Sequence, residues 1–559
     1  FEGMVVTDWG GMHDRIEAFK AGCDLSMPGG SGYMEEDALE AVKAGDLPES
    51  AIDVCANRVL DLVFKAAKAL KGRYKFDEDE HHALAARGAE QGGVLLKNEG
   101  LLPLSDQDSV AIIGHMAGAM RYQGAGSSHI NPTRLVNPRD AMPDAIFAKG
   151  CDIRGNTNRA LLEEAASTAK QADVAVVFAG LPNRYESEGF DRDDLKMPEG
   201  HIKMIEAVAR ANPNTVVVLL SGSVVECPWI DRVKALLYMG LPGQAGGEAI
   251  ANLLYGRVNP SGRLTETWPI AYETCPTAGH FKGLKDAQYR EGIYVGYRYY
   301  DKADISVRFP FGYGLSYTSF EYSQLEVNGD KVSVSVKNSG ERPGAEVVQL
   351  YVKPPVGGLH RPVKELKGFT KVFLEAGESQ TVEFVLDERS YAVWVDGWIV
   401  PKGNYTILVG PSSDELPLRA IVEKDGSDLP APTWQKNSWY VTLRGHLEIG
   451  DWERMLGRKH EEDVPQKGSF TMNNTVEEMK PYSLVMRLVY RYVEKRIGKT
   501  YDGKKDYGNP EFKMMMACSV GSPLRSMQIS SGIRGGLMRG LLEMANGHYL
   551  RGLREILFR

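Results

Sequence analysis

The chain has no long hydrophobic run. Nowhere do about 18 or more apolar residues follow one another, so no membrane span is expected. Its six cysteines, Cys23, Cys55, Cys151, Cys227, Cys275 and Cys518, are scattered and form no CxxC pair. Neither a zinc site nor a disulfide framework is indicated, which favours a reducing, cytoplasmic compartment. A basic surplus is lacking too: 66 Lys and Arg against 74 Asp and Glu leave a net charge of −8, which argues against nucleic acid as a partner. Glycines at 114, 124 and 126 follow an apolar strand, but no Walker lysine comes after them and GxGxxG spacing is absent, so no nucleotide site is indicated. The chain starts at Phe1 without an initiator Met, so its native N-terminus is expected to lie before residue 1 and the sequence does not decide whether a signal peptide precedes it.

What is present is ordinary globular composition, with 43% hydrophobic and 25% charged residues over 559 positions, enough for about three or four domains. Residues 1–70 open on a short β-branched run, Met4 to Val6, that ends in Asp8-Trp9-Gly10. A carboxylate at the exit of a buried parallel strand is where barrel enzymes place catalytic groups. On spacing alone, a helix N-cap at Asp8 with Trp9 filling the core fits better. Glu35–Val42 reads as a short helix stopped by Gly45, and a longer one starts at Pro48, with Ile52, Cys55, Val59, Leu62 and Val63 at helical spacing. Residues 71–85 read as a polar linker; the adjacent His81 and His82 lack a third ligand nearby and read as surface side chains.

Across 86–316, apolar strands (Ser109–Gly114, Val174–Ala179, Thr215–Leu220, Ala235–Met239) alternate with helical stretches (Arg159–Gln171, His201–Asn212), the pattern of a mainly parallel sheet covered on both faces. Gly243–Ile250 reads as glycines that let a helix approach a strand closely. At 317–425 the period changes. Lys331–Lys337 alternates strictly, and Glu346–Val352, Gln380–Val385 and Asn404–Val409 continue the series, as in an immunoglobulin-like sandwich. Residues 426–559 read as mainly helical. A capped start is expected at Asn474-Thr475-Val476-Glu477, followed by an apolar face of Val485, Leu488, Val489, Tyr492, Val493 and Ile497. A second helix is expected from Ile533 to Met544, ending near Asn546-Gly547. From Lys480 to Arg559 there are 15 Lys and Arg against 6 Asp and Glu. That surplus fits a solvated face or an interface with the acidic body, and is compatible with a homodimer.

Several segments resemble glycoside hydrolase family 3, the β-glucosidase family. Val5-Val6-Thr7-Asp8-Trp9 is similar to its nucleophile signature, and Ala21-Gly22-Cys23-Asp24-Leu25-Ser26-Met27-Pro28 to its next barrel strand and loop. Val94-Leu95-Leu96-Lys97-Asn98 and Asn259-Pro260-Ser261-Gly262-Arg263 resemble its α/β/α sandwich, and Phe309-Pro310-Phe311-Gly312-Tyr313-Gly314 the start of its fibronectin-like part. Tyr289-Arg290-Glu291-Gly292 resembles the acid/base segment, and Glu186-Ser187-Glu188-Gly189-Phe190-Asp191-Arg192 a loop that faces the sugar. The C-terminal part looks like the helical extension of some long bacterial members.

The resemblance implies a multidomain α/β plus all-β chain: a remnant of a (β/α)₈ barrel, an α/β/α sandwich with a mainly parallel sheet, a fibronectin type III-like β-sandwich and a helical extension. A whole barrel needs about 250 residues, so the chain is expected to hold only the barrel's last part. The groups that hold sugar hydroxyls in the family would then lie before residue 1.

The activity implied is that of a retaining exo-β-glucosidase, with Asp8 as nucleophile, Glu291 as acid/base, Trp9 and Glu186 as sugar contacts, and no metal or organic cofactor. A general acid needs a raised pKa, usually from burial, and Tyr294, Tyr297, Tyr299 and Tyr300 offer an apolar wall. In the family, a Trp after the nucleophile points to glucosides rather than xylosides. The alternatives are a β-xylosidase or other β-glycosidase, and a non-catalytic carbohydrate-binding or scaffold module.

Overall fold

The computed structural model describes residues 1–12, 14–29, 32–72, 74–281, 287–461, 464–501, 503–531, 533 and 535–558. At the start of the chain, residues 4–7 and 23–27 run side by side as a parallel pair bridged at Val6 and Leu25. Asp24 pins them: it is buried, the Val5 amide donates to its Oδ2 at 2.7 Å, and the Arg58 guanidinium lies 3.5 Å from its Oδ1. Helices α1 (Arg15–Lys20), α2 (Tyr33–Ala44) and α3 (Glu49–Ala69) pack round Ala38, Ala41 and Leu47 to complete a partial barrel-like unit. Gly45 ends α2 in the left-handed region, at φ 83°, where a side chain would be strained. The inward stripe of α3 stops at Val59; Leu62 and Val63, expected to be buried, are exposed.

Residues 78–85, read from sequence as linker, form the first half of α4 (Glu78–Gly92), capped by Asp77. His82 is a correction to the surface reading. It is buried, 3.3 Å from Glu248, and its ring accepts from Gln244 at 3.0 Å. The sheet that follows has the order β1-β6-β5-β4-β2-β3, from β1 (Val94–Asn98), β2 (Val110–Ile113), β3 (Ile146–Ala148), β4 (Val174–Gly180), β5 (Thr215–Leu220) and β6 (Ala235–Tyr238). It is parallel except for β1, which runs antiparallel to β6.

Alternation sorts its side chains into two cores. Ile113, Val177 and Leu219 meet α7 (Arg159–Ala169) and α8 (Glu199–Ala211) through Ala165, Met204 and Val208. Ile112, Val176 and Val218 meet α9 (Gly246–Leu254) through Ile250 and Leu253. Two single turns, α5 (His115–Gly118) and α6 (Pro138–Ala141), lie in the loops beyond β2. The close approach at Gly247 is to loop backbone and not to a strand, since a Cβ there would stand 2.4 Å from the Asn137 carbonyl.

A short pair, β7 (Trp268–Pro269) with β8 (Val307–Phe309), brackets α10 (Tyr297–Ala303). The β-sandwich then sets β13-β10-β9 against β12-β11-β16-β17, from β9 (Phe320–Asn328), β10 (Lys331–Asn338), β11 (Gly344–Lys353), β12 (Glu365–Leu374), β13 (Ser379–Val385), β16 (Gly403–Gly410) and β17 (Leu418–Lys424). Its core holds Val332, Val334 and Val336 against Val348, Leu350 and Ile407. Between β13 and β16 a hairpin pairs β14 (Val393–Trp394) with β15 (Trp398–Ile399). A buried ion pair, Arg263 to Glu346 at 2.8 Å, fastens the sandwich to the parallel-sheet unit.

The C-terminal part comprises α11 (Ile449–Leu456), α12 (Val476–Met479), α13 (Leu484–Thr500), α14 (Pro510–Val520), α15 (Leu524–Ser531), α16 (Gly535–Ala545) and α17 (Tyr549–Phe558). Thr475 and Glu478 form the expected capping box, but that helix is one turn long, and α13 starts afresh from Ser483. The inward stripe of α13 is Met486, Val489, Tyr490, Val493 and Ile497; Leu488 and Tyr492, expected on it, are exposed. Ile529 of α15 packs on Met12 and Met34. Lys513 of α14 sits 3.7 Å from the Phe190 ring centroid, and Asp506 pairs with Arg154 at 3.2 Å. In that last pair the extension supplies the acid and the body the base, the reverse of the charge surplus. Among the described residues no helix is long and apolar enough to cross a membrane.

Candidate active site

Asp8 lies at the exit of the first strand of the N-terminal pair, in a turn rather than at a helix N-cap; α1 is capped by Asp14. The Trp9 amide donates to Asp8 Oδ1 at 2.6 Å and the Gly11 amide to the Asp8 carbonyl at 3.0 Å. Gly10 supplies the left-handed φ of 76° that turns the chain, and its amide donates to the Met27 carbonyl at 2.8 Å. Thr7 closes the same junction, its hydroxyl accepting from the Met27 amide at 2.9 Å. The carboxylate is exposed. So is the Trp9 ring, at 68%, which packs into no core among the described residues and stands beside Asp8.

Glu291 is in the opposite setting. It is buried, and its Oε2 has no hydrogen-bond partner among the described residues. Such an oxygen is uncommon in a folded protein and is what a proton donor to a leaving group must keep free. The four tyrosines expected as its wall are buried: Tyr294, Tyr299 and Tyr300 share one cluster with Trp439 and Tyr440, the Tyr294 amide donates to the Glu291 carbonyl at 3.1 Å, and Tyr297 stacks on Phe311. The aromatic group that couples to Glu291 is Tyr440. Its hydroxyl donates to the Arg290 carbonyl at 2.5 Å, and burial, followed by the charges of Asp451 and Glu291, pushes the phenol up. Sequence reading missed Tyr440, which lies about 150 residues on. The only local hint was its place in the aromatic cluster Trp439-Tyr440.

Glu186 is held from both sides. Arg121, almost fully buried, reaches its Oε2 at 2.6 Å; the Gly222 amide donates to the same oxygen at 2.9 Å, and the Ser223 hydroxyl to Oε1 at 2.5 Å. Arg192 extends the network to the Ser223 hydroxyl and the Val224 carbonyl. The loops after β2, β4 and β5 therefore meet at Glu186, outside the carboxyl ends of parallel strands, where open α/β sheets place their ligands. Arg121 was not singled out from sequence; a lone cation in the loop after β2 was its signal.

No hydrogen bond, ion pair or ring contact among the described residues joins Asp8 or Trp9 to Glu186 or Glu291. Among the described residues, no group of three His, Cys, Asp or Glu is placed to hold a metal ion.

Residues 93–317 match the glycosyl hydrolase family 3 C-terminal domain, and residues 346–413 a fibronectin type III-like domain. Thermostable beta-glucosidase B of Acetivibrio thermocellus is 45% identical over 442 residues, 75% of this chain and 58% of that protein. Exo-alpha-(1->6)-L-arabinopyranosidase of Bifidobacterium longum is 40% identical over 479 residues, 81% of this chain and 62% of the relative. Among solved structures, the GH3 beta-glucosidase of Bifidobacterium adolescentis superposes with a TM-score of 0.73 at 39% identity, covering 79% of this chain and 69% of that one. DesR, a beta-glucosidase from Streptomyces venezuelae in complex with D-glucose, gives 0.70 at 31% identity, covering 76% and 72%. The chain spans 58% to 62% of the length of these two curated relatives.

Proposed function

The chain belongs to glycoside hydrolase family 3, and on that premise we propose that it carries the two catalytic carboxylates of a retaining, exo-acting β-glycoside hydrolase that releases terminal β-D-glucose. Asp8 attacks the anomeric carbon while Glu291 gives its proton to the leaving oxygen, and a glycosyl ester forms on Asp8. Glu291, now a carboxylate, takes a proton from water, which attacks the same carbon, displaces the Asp8 carboxylate and restores the β configuration. The scheme requires the two carboxyl groups to come within about 5–5.5 Å of each other. Trp9 offers its face to the sugar. Glu186, held by Arg121 and Ser223, lines the rim as a fixed acceptor.

The observation that carries the reading is the contrast between the carboxyls: Asp8 exposed at a strand exit, Glu291 buried with an unpaired Oε2. A Glu291→Ala protein given an aryl β-glucoside and azide tests it. Recovery of rate with β-glucosyl azide as product is expected, and the α-azide, or no azide product, overturns the assignment. The arabinopyranosidase relatives support a second reading, an α-L-arabinopyranoside as substrate. It is separated from the first by the ratio of kcat/KM on the two aryl glycosides. The six unpaired cysteines support a cytoplasmic setting. Light scattering with and without residues 426–559 tests the extension as a homodimer face.

A further inference from the structure

Hairpin β14–β15 carries two tryptophans into solvent. Trp394 is 65% exposed and Trp398 47%, directly opposite each other across the hairpin, with ring centroids 5.5 Å apart and planes at 79°. Indoles are costly to leave in water, and exposed apolar patches rimmed by polar groups mark binding surfaces. The Arg389 guanidinium covers one face of Trp398 from 4.1 Å, which fixes the ring's orientation while it stays half open.

The two rings form one wall of a groove of about 670 Å³, within the roughly 300–1,000 Å³ of small-ligand sites. Its other walls mix charges of both signs: Glu365 and Asp387 against Arg361, Lys367 and Arg389. Lys367 lies 3.6 Å from the Glu365 carboxylate and Arg361 3.9 Å, so two of the three cations share one carboxylate and one positive charge is left over. His360, edge-on to Trp434 at 5.0 Å, adds a ring that burial, with help from the Lys302 charge, pushes down to about 4; it is neutral at pH 7 and able to donate and to accept. A cation would be repelled by that surplus charge, and an anion by the Glu365 and Asp387 carboxylates. A pyranose would not: its C–H faces suit indoles, and its hydroxyls take donors and acceptors side by side. The groove also reaches Ile293, two residues beyond Glu291 and 49% exposed.

We propose that this groove binds a neutral β-linked oligosaccharide, with Trp394 and Trp398 against the sugar faces, as a holding site for substrate chains next to the acid/base segment. The choice of sugar rests on the reading of the chain as a β-glycosidase; the groove's capacity to bind does not.

The test is calorimetric titration of Asp8→Asn protein, in which hydrolysis through that carboxylate is removed, with cellotriose, and with maltotriose as the α-linked control. Saturable cellotriose binding is expected, with weaker maltotriose binding. Trp394→Ala should weaken cellotriose about tenfold, and Trp394→Phe, which keeps a ring face, should restore most of it. Circular dichroism confirms folding of each variant. Absent saturation, equal binding of the two trisaccharides, or Trp394→Ala binding as tightly as its parent overturns the proposal. Since binding is read without turnover, loss of the groove and misassignment of Asp8 give different results.

Discussion

Val5 and Val6 are 39% and 48% exposed, whereas Val176, Val177 and Val217 are at 0%. All five sit in β-branched runs of strand character. The difference lies in neighbours: β4 and β5 have a strand on each side and helices on both faces, while residues 4–7 pair, among the described residues, with residues 23–27 alone. Apolar residues set the strand, but only partners bury it. The turn at Asp8 is consequently held by a few polar links, from Thr7, Gly10 and Asp24, and the setting of Glu291 by a packed aromatic cluster.

Removing packing from each region should break that comparison if it is wrong. Leu219→Ala, in the sheet core, is expected to cost about 2–5 kcal/mol in urea unfolding; a loss below 1 kcal/mol would mean the core is not close-packed. A second test uses buried His201, whose imidazole burial pushes down to about 4 from 6.5. The unfolded chain takes up the extra proton first, so stability is full above pH 6.5 and falls as pH drops toward 4, by roughly 3 kcal/mol. His201→Gln should flatten that part of the pH profile; an unchanged profile contradicts the assignment.

In the N-terminal unit, Asp24→Ala removes a charged acceptor from the Val5 amide and should cost about 1.5–3 kcal/mol. The cost should appear as faster amide exchange confined to residues 4–27, and faster exchange in β4 and β5 as well would show the two regions to be one cooperative unit. Val6→Ala should change stability by no more than about 0.5 kcal/mol. A loss comparable to that of Leu219→Ala would erase the distinction.

The central sheet was legible because its strands are apolar on both faces, and β10 because it alternates without a break. Strands β9 and β17 were not: alternation in β9 breaks at Ser323-Gln324, where Gln324 takes a φ of 53°, and in β17 the apolar Ile421 faces solvent at 72% exposure. Apolar content misled in α13, where Leu488 and Tyr492 face solvent, and α14 was hidden because its Met-rich run has little contrast between faces. Asp8 and Trp9 stand in a local motif that sequence can display. Glu291 was indistinguishable by spacing from the 73 other acids. The partners of Glu186 lie 65 residues before it in Arg121 and 36 and 37 residues after it in Gly222 and Ser223, and no local pattern encodes such contacts.

The central claim is that Asp8 is the nucleophile of a retaining mechanism. Peptide mass spectrometry after incubation with an activated 2-deoxy-2-fluoro-β-glucoside tests it most directly. A single hexosyl adduct on the peptide that contains Asp8, absent from the Asp8→Ala protein, is the predicted result. An adduct on any other carboxylate, or labelling that survives Asp8→Ala, would contradict it.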